Sequence, residues 1–247
     1  MVLQISRTKP LQIEWEALPD DYILPDDPVE NIQQPYLAAA LTDALGEAGL
    51  IRPEMLIGSN FGLVARVNEE TVVKAPDWFY VPRAEPLPTQ TIRRSYTPHR
   101  QGDPVAIVME FLSDTEESEF SVRPFFPYGK LFFYENILQV PTYAIFNPYD
   151  VELRVLGLEA GQYRERQAND QGRYWIPELG LWLGIWHGSR LGQKPTNWLR
   201  WWDEAGNLLL WSAEKAEQER QRAEAAEQEL ARLREQITRQ SQDLDEG

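Results

Sequence analysis

Cysteine is absent from the 247-residue chain, and histidine occurs only as His99 and His187. The first absence excludes disulfides, thiolate zinc sites and cysteine nucleophiles together, and it accords with a reducing compartment. The second excludes a multi-histidine metal centre and argues against a Ser-His-Asp triad. No stretch approaches the roughly 20 apolar residues that cross a bilayer. Even the run Val105 to Leu112 is broken by Glu110. The first ten residues, MVLQISRTKP, lack the apolar block of a secretion signal, so a cytoplasmic protein is expected. The glycines of 157–161 and 180–184 do not form a phosphate-binding loop. Positive charge is also scarce: 24 Lys and Arg stand against 39 Asp and Glu, a net of −15. Ten of those acids and six of the bases lie in residues 213–247, so the remaining body keeps −11. Nucleic-acid binding draws on Lys and Arg, and here such contacts must be local.

What the chain does have is core-forming material, 43% hydrophobic and 11% aromatic, enough for one sizeable domain with appendages. Residues 1–28 read as a turn-rich acidic arm. Leu37, Leu41, Ala44, Leu45 and Ala48 recur at helical spacing, with Gly49 placed to end a helix over 35–48. Short β-type runs follow at 55–57, 62–67 and 71–73, with a hairpin turn at Asn68-Glu69-Glu70. Residues 105–112 read as a buried central strand, 128–138 as a helix stopped before Pro141, and 142–146 as another buried strand. Strand, helix, strand predicts a crossover in a mixed sheet. Residues 151–158, 162–166 and 173–176 resemble an antiparallel meander, and 198–202 with 208–211 a hairpin turning at Gly206-Asn207. The expected organisation is an arm (1–28), a main domain (29–192), an aromatic hairpin packed on it (193–212) and a helical tail (213–247). In the tail, Ala216, Ala223, Leu230 and Ile237 form one heptad column. Glu219, Ala226, Leu233 and Gln240 form the other, which reads either as a solvated helix or as a coiled coil joining a homodimer.

Two acids stand out. A carboxylate inside an apolar strand loses hydration worth several kcal/mol, about the scale that only a partner restores. Glu110 occupies such a strand, and Asp77 sits among Pro76, Trp78, Phe79 and Tyr80. Each alone is explained by a strand end or a nearby base. Brought together they would repel unless a cation lay between them, and a hard divalent ion such as Mg²⁺ suits oxygen ligands. Arg93, Arg94 and Arg100 form a basic island in the Pro-rich loop 82–104, as phosphate contacts or as a solvated flap.

With Lys130 the acids acquire a pattern. Pro76-Asp77, then Glu110 closing an apolar strand before Phe111-Leu112-Ser113, then Lys130 four residues before Tyr134, then the strand Thr142 to Asn147-Pro148. This order resembles the bacterial Uma-type restriction endonuclease family of the PD-(D/E)xK nuclease superfamily, over about residues 29–190. The resemblance implies an α/β fold, a restriction-endonuclease-like mixed sheet flanked by helices, with a C-terminal helical tail. It implies Asp77 and Glu110 as catalytic residues and Mg²⁺ ligands (Mn²⁺ as an alternative), the Phe111 carbonyl as a third ligand, Lys130 assisting hydrolysis, and DNA as substrate. Three departures go with it. Leu112 occupies the position of the superfamily's usual lysine, Arg123 to Pro127 lacks an acid often found before the helical lysine, and Asn147 replaces an aspartate. The alternative function is a non-catalytic scaffold oligomerising through the tail. A carbohydrate-binding module leaves the buried acids unexplained. Lys74 as an alternative cation, His187 as a base, and the tryptophans 198, 201, 202 and 211 as stacking groups each compete with a purely structural role.

Overall fold

A computed structural model of the chain describes residues 11–16, 32–112 and 122–245, with side chains of the last helix described as far as Ile237. The centre is a six-stranded mixed sheet in the order β10-β9-β8-β7-β5-β2. Its strands are β2 (Leu56–Gly58), β5 (Trp78–Val81), β7 (Ile107–Phe111), β8 (Thr142–Asn147), β9 (Glu152–Glu159) and β10 (Gln162–Glu165). Among the neighbouring strands of this sheet only β7 and β8 pair in parallel. The segment joining them contains α2 (Lys130–Phe132), which continues into one wider π-helical turn (Phe133–Ile137). That is the crossover expected from the sequence.

Alternation along β7 divides the molecule into two cores. Ile107, Met109 and Phe111 join one cluster with Leu37, Leu41, Ala44, Trp198 and Trp201. Val108 joins the other, with Leu63, Phe133, Tyr134 and Tyr143. Because successive side chains leave a strand on opposite faces, Glu110 shares the Val108 face, the face covered by the crossover helix.

The first core is capped by α1 (Gln33–Glu47) and by a three-stranded antiparallel sheet: β11 (Tyr174–Ile176), β12 (Leu181–Gly188) and β13 (Thr196–Trp202). Gly49, at φ 70°, ends α1 as expected, with Leu50 N–H bonding the Leu45 carbonyl and Gly49 N–H the Gly46 carbonyl. Four fully buried indoles fill this layer, and each N–H finds an acceptor: Trp78 on Thr42 Oγ1, Trp201 on the Leu41 carbonyl, Trp211 on that of Ala40, Trp198 on that of Gly188. Satisfied buried indoles are structural, so the aromatic cluster at 198–211 belongs to the core and not to a stacking surface.

The second core is covered by the hairpin β3 (Gly62–Val67) and β4 (Glu70–Lys74), flanked by β1 (Ile13–Glu14) and β6 (Ser95–Tyr96). Asn68 and Glu69, at φ 49° and 71°, make the two-residue turn that the twist of a hairpin favours.

Two expectations change. β11 does not extend the meander from β10; it pairs with β12 in the separate sheet, with Trp175 opposite Trp182. Asn169 causes the divergence, its Oδ1 accepting the Gln171 and Arg173 N–H groups and turning the chain away from β10. Residues 208–211 make one bridge to β13, Trp202 to Leu208, and a Leu209 N–H to Trp201 carbonyl bond, rather than a second hairpin strand. The partner of β13 along its length is β12. Beyond Trp211 the chain enters α3 (Ser212–Asp245). The arm 1–28 falls mostly outside the described residues. No helix among the described residues is long and apolar enough to cross a membrane.

Candidate active site

Antiparallel pairing sets Trp78 opposite Met109 and Phe79 opposite Val108. Continued one residue, that register brings Asp77 opposite Glu110. The two acids expected from sequence therefore meet where β5 begins and β7 ends. Asp77, barely exposed, accepts the Phe111 N–H on Oδ2 at 2.6 Å. Its carboxylate thus replaces the main-chain partner that β5 would have supplied one residue earlier.

Glu110 has no exposed surface, yet both of its oxygens are engaged. Tyr134 donates its hydroxyl to Oε1 at 2.8 Å, and the Lys130 ammonium lies 3.2 Å from Oε2. Lys130 and Tyr134 stand four residues apart, one helical turn, so both project from the same side of the crossover helix onto the strand end. Burial pushes the Glu110 carboxyl up to about 8; Lys130 opposes this, the Asp77 charge adds to it, and the Tyr134 hydrogen bond lowers it. Near neutral pH this carboxyl retains its proton for much of the time, unlike an ordinary glutamic acid.

One member of the cluster escaped the sequence analysis. Gln34, 5% exposed at the start of α1, donates its amide to the Phe111 carbonyl at 2.6 Å. Phe111 is thus held through its N–H by Asp77 and through its C=O by Gln34. The available signal was a polar residue three and seven positions before Leu37 and Leu41, on the helix face that is otherwise apolar. Tyr134 was noticed only as a spacing marker; its hydroxyl is a working donor.

The structure brings Asp77, Glu110, Phe111 and Lys130 together. Leu112, at the position of the superfamily's usual lysine, is buried with its N–H on the Phe146 carbonyl. The arginines disperse. Arg94 immediately precedes β6, which joins β3 at Gly62, the end where Asn60 N–H bonds the Pro76 carbonyl next to Asp77. Arg93 instead donates to the Glu85 carbonyl at 2.5 Å and lies over the Tyr96 ring. Arg100 sits in the turn whose Gly102 bridges Ala84, beyond the Val81 end of β5 and so on the far side of that strand from Asp77. Lys74 closes β4 opposite Leu63. His187 is at Asn197, away from the acids, and Asn147 Oδ1 caps the β8–β9 turn through the Tyr149 and Asp150 N–H groups. Ser113 lies outside the described residues. Among the described residues no group of three or more acids and histidines is gathered to hold a metal. The oxygen donors at this point are the two carboxylates and the Phe111 carbonyl.

A mixed sheet flanked by helices, with two acids converging from adjacent strands and a lysine above them, defines a restriction-endonuclease-like α/β protein. The profile of the Uma2 family, described as "Putative restriction endonuclease", matches residues 15–191, and the chain belongs to that family. No curated protein matches it.

Proposed function

We propose that the chain is a Mg²⁺-dependent endonuclease that hydrolyses phosphodiester bonds in DNA. The observation that carries this reading is the set Asp77–Glu110–Lys130, two buried acids in facing register with an ammonium 3.2 Å from one of them. The donor chemistry fits a hard cation: oxygen only, adjacent, and too few to close a cage, which suits an ion that keeps several waters. Asp77 and Glu110 would hold Mg²⁺ or Mn²⁺, and the Phe111 carbonyl, although it accepts Gln34, has a second lone pair to offer. Such an ion supplies an acidified water and offsets charge on the scissile phosphate.

The protein's own groups do the rest. Lys130 orients the attacking water and stabilises negative charge growing on the phosphate. Tyr134 fixes the Glu110 carboxylate, and Gln34 fixes the main chain that carries it. Arg94, at the same end of the molecule, is the best placed of the three arginines for a phosphate; Arg93 and Arg100 would meet the backbone only farther along a duplex. The body's net charge predicts weak, salt-sensitive binding away from these points.

The test is nicking of supercoiled plasmid, and cleavage of single- and double-stranded DNA and RNA, in Mg²⁺ and in Mn²⁺. Metal-dependent cleavage of DNA should vanish in Glu110→Ala and fall about 10²–10³-fold in Lys130→Met. Substrates left intact under every condition would mean that the fold serves as a non-catalytic scaffold.

A further inference from the structure

Among the described residues, the C-terminal helix is fastened to the domain through its first turn. Arg200, fully buried, sends Nη1 and Nη2 to the two Glu214 oxygens at 3.0 and 2.6 Å, and Nη2 also to the Leu209 carbonyl at 2.8 Å. Its guanidinium lies 3.4 Å from the centre of the Trp211 ring. Glu214 further accepts the main-chain N–H of Trp211 at 2.8 Å, and Lys215 reaches Glu47 at 2.7 Å. Beyond that joint every residue from Ala216 to Ile237 is exposed. A helix that leaves so long a stretch exposed is marginal in water, because helical stability comes mainly from burying a face.

This helix has such a face. Ala223, Ala226, Leu230, Leu233 and Ile237 follow the three-and-four spacing of a two-stranded seam, and Leu230, Leu233 and Ile237 are 54%, 44% and 63% exposed. The charges beside the seam are arranged for a copy of the same helix. Arg222 and Glu229 flank one side, Glu227 and Arg234 the other. In a parallel, in-register pair Arg222 meets Glu227 of the second copy, and Glu229 meets Arg234, on both flanks without offset. That register also sets Glu219, a seam position, against its own copy, so the pairing starts at Ala223; the flanking like-charge contact before it, Lys215 with Arg220, is relieved at source. Lys215 is paired with Glu47 of its own domain, and Arg220 with Glu217 and Glu224.

We propose that the occupant of this face is a second copy of the chain, joined through residues 223–237 as a parallel two-stranded coiled coil. Pairing here is independent of any hydrolysis at Glu110.

The experiment uses the full chain in sedimentation equilibrium or light scattering over a micromolar concentration series. A dimer is expected, with its dissociation constant raised at least tenfold in the double variant Leu230→Glu, Leu233→Glu, whose far-ultraviolet and aromatic spectra report an intact domain. The chain has no cysteine, so Ala223→Cys provides a single reporter of direction. At a seam position facing its own copy it should oxidise to a disulfide-linked dimer, reversed by reductant. Reversing Glu227→Arg should weaken the dimer, and adding Arg222→Glu should restore it. A monomer throughout the series overturns the proposal. So does a dimer indifferent to the double variant, which would lie elsewhere, or a dimer that fails to cross-link at 223, which would not be parallel.

Discussion

Replacing Glu110 by glutamine should make the protein less sensitive to alkali, and the size of the effect follows from the site. In the folded chain the Glu110 carboxyl is pushed up to about 8 from an ordinary 4.5, first by burial. Between these two values the native state binds a proton that the unfolded chain has released. Unfolding free energy therefore falls as pH rises through the window. The contribution is fully favourable below about 4.5 and fully lost above about 8. At about 1.4 kcal/mol per pH unit, the span from 4.5 to about 8 is worth on the order of 5 kcal/mol. Glutamine mimics the protonated acid in shape. Its carbonyl can accept from Lys130 while its amide donates to the Tyr134 oxygen, so no buried polar atom is left without a partner. Urea denaturation of both proteins at pH 5, 7 and 9, in EDTA, isolates the effect of the Glu110 cluster, because titrating groups not coupled to it cancel in the difference. Relative to wild type, the variant should gain several kcal/mol of stability between pH 5 and 9. A difference flat to within about 0.5 kcal/mol, the scale of an ordinary surface substitution, would refute the claim that Glu110 is a desolvated acid.

Other expectations follow from the same geometry. At pH 8.5, millimolar Mg²⁺ or Mn²⁺ should raise the melting temperature of the wild type, since a ligand that binds only the folded state stabilises it by about RT ln(1 + [L]/Kd). Glu110→Gln should show no such rise, and an equal rise in both proteins would place the cation elsewhere. Gln34→Leu removes the donor to a buried carbonyl and should cost about 1–3 kcal/mol in urea denaturation. A neutral result would mean that Phe111 does not depend on Gln34.

Several parts of this molecule were legible in the sequence because they rest on local chemistry. The helix at 33–47 announces itself by the spacing of Leu37, Leu41, Ala44 and Leu45 and by Gly49. The parallel strands β7 and β8 announce themselves as short, largely apolar, β-prone runs around a helical segment. Glu110 drew notice because an acid in such a run needs a partner, and the ordered motif pointed to Lys130. The rest depends on pairings between distant segments. Gln34 acts on a main-chain carbonyl 77 residues away, and nothing in its neighbours records that partner. The residues of β12 carry Gly184 and the pair Trp186-His187, which read as isolated curiosities until β11 and β13 lie on either side of them. Where β11 would pair was decided by a tight turn at Asn169, which a strand-length pattern does not reveal.

The Arg200–Glu214 joint also has a mechanical side. A helix of 34 residues is about 50 Å long at about 1.5 Å per residue, so the direction set at its first turn is magnified along its length. A difference of about 10° in that direction displaces the far end by about 9 Å, more than the separation of neighbouring β-strands. A guanidinium clamped between an indole and a carboxylate, inside the domain, thus sits where a small change of angle is amplified most.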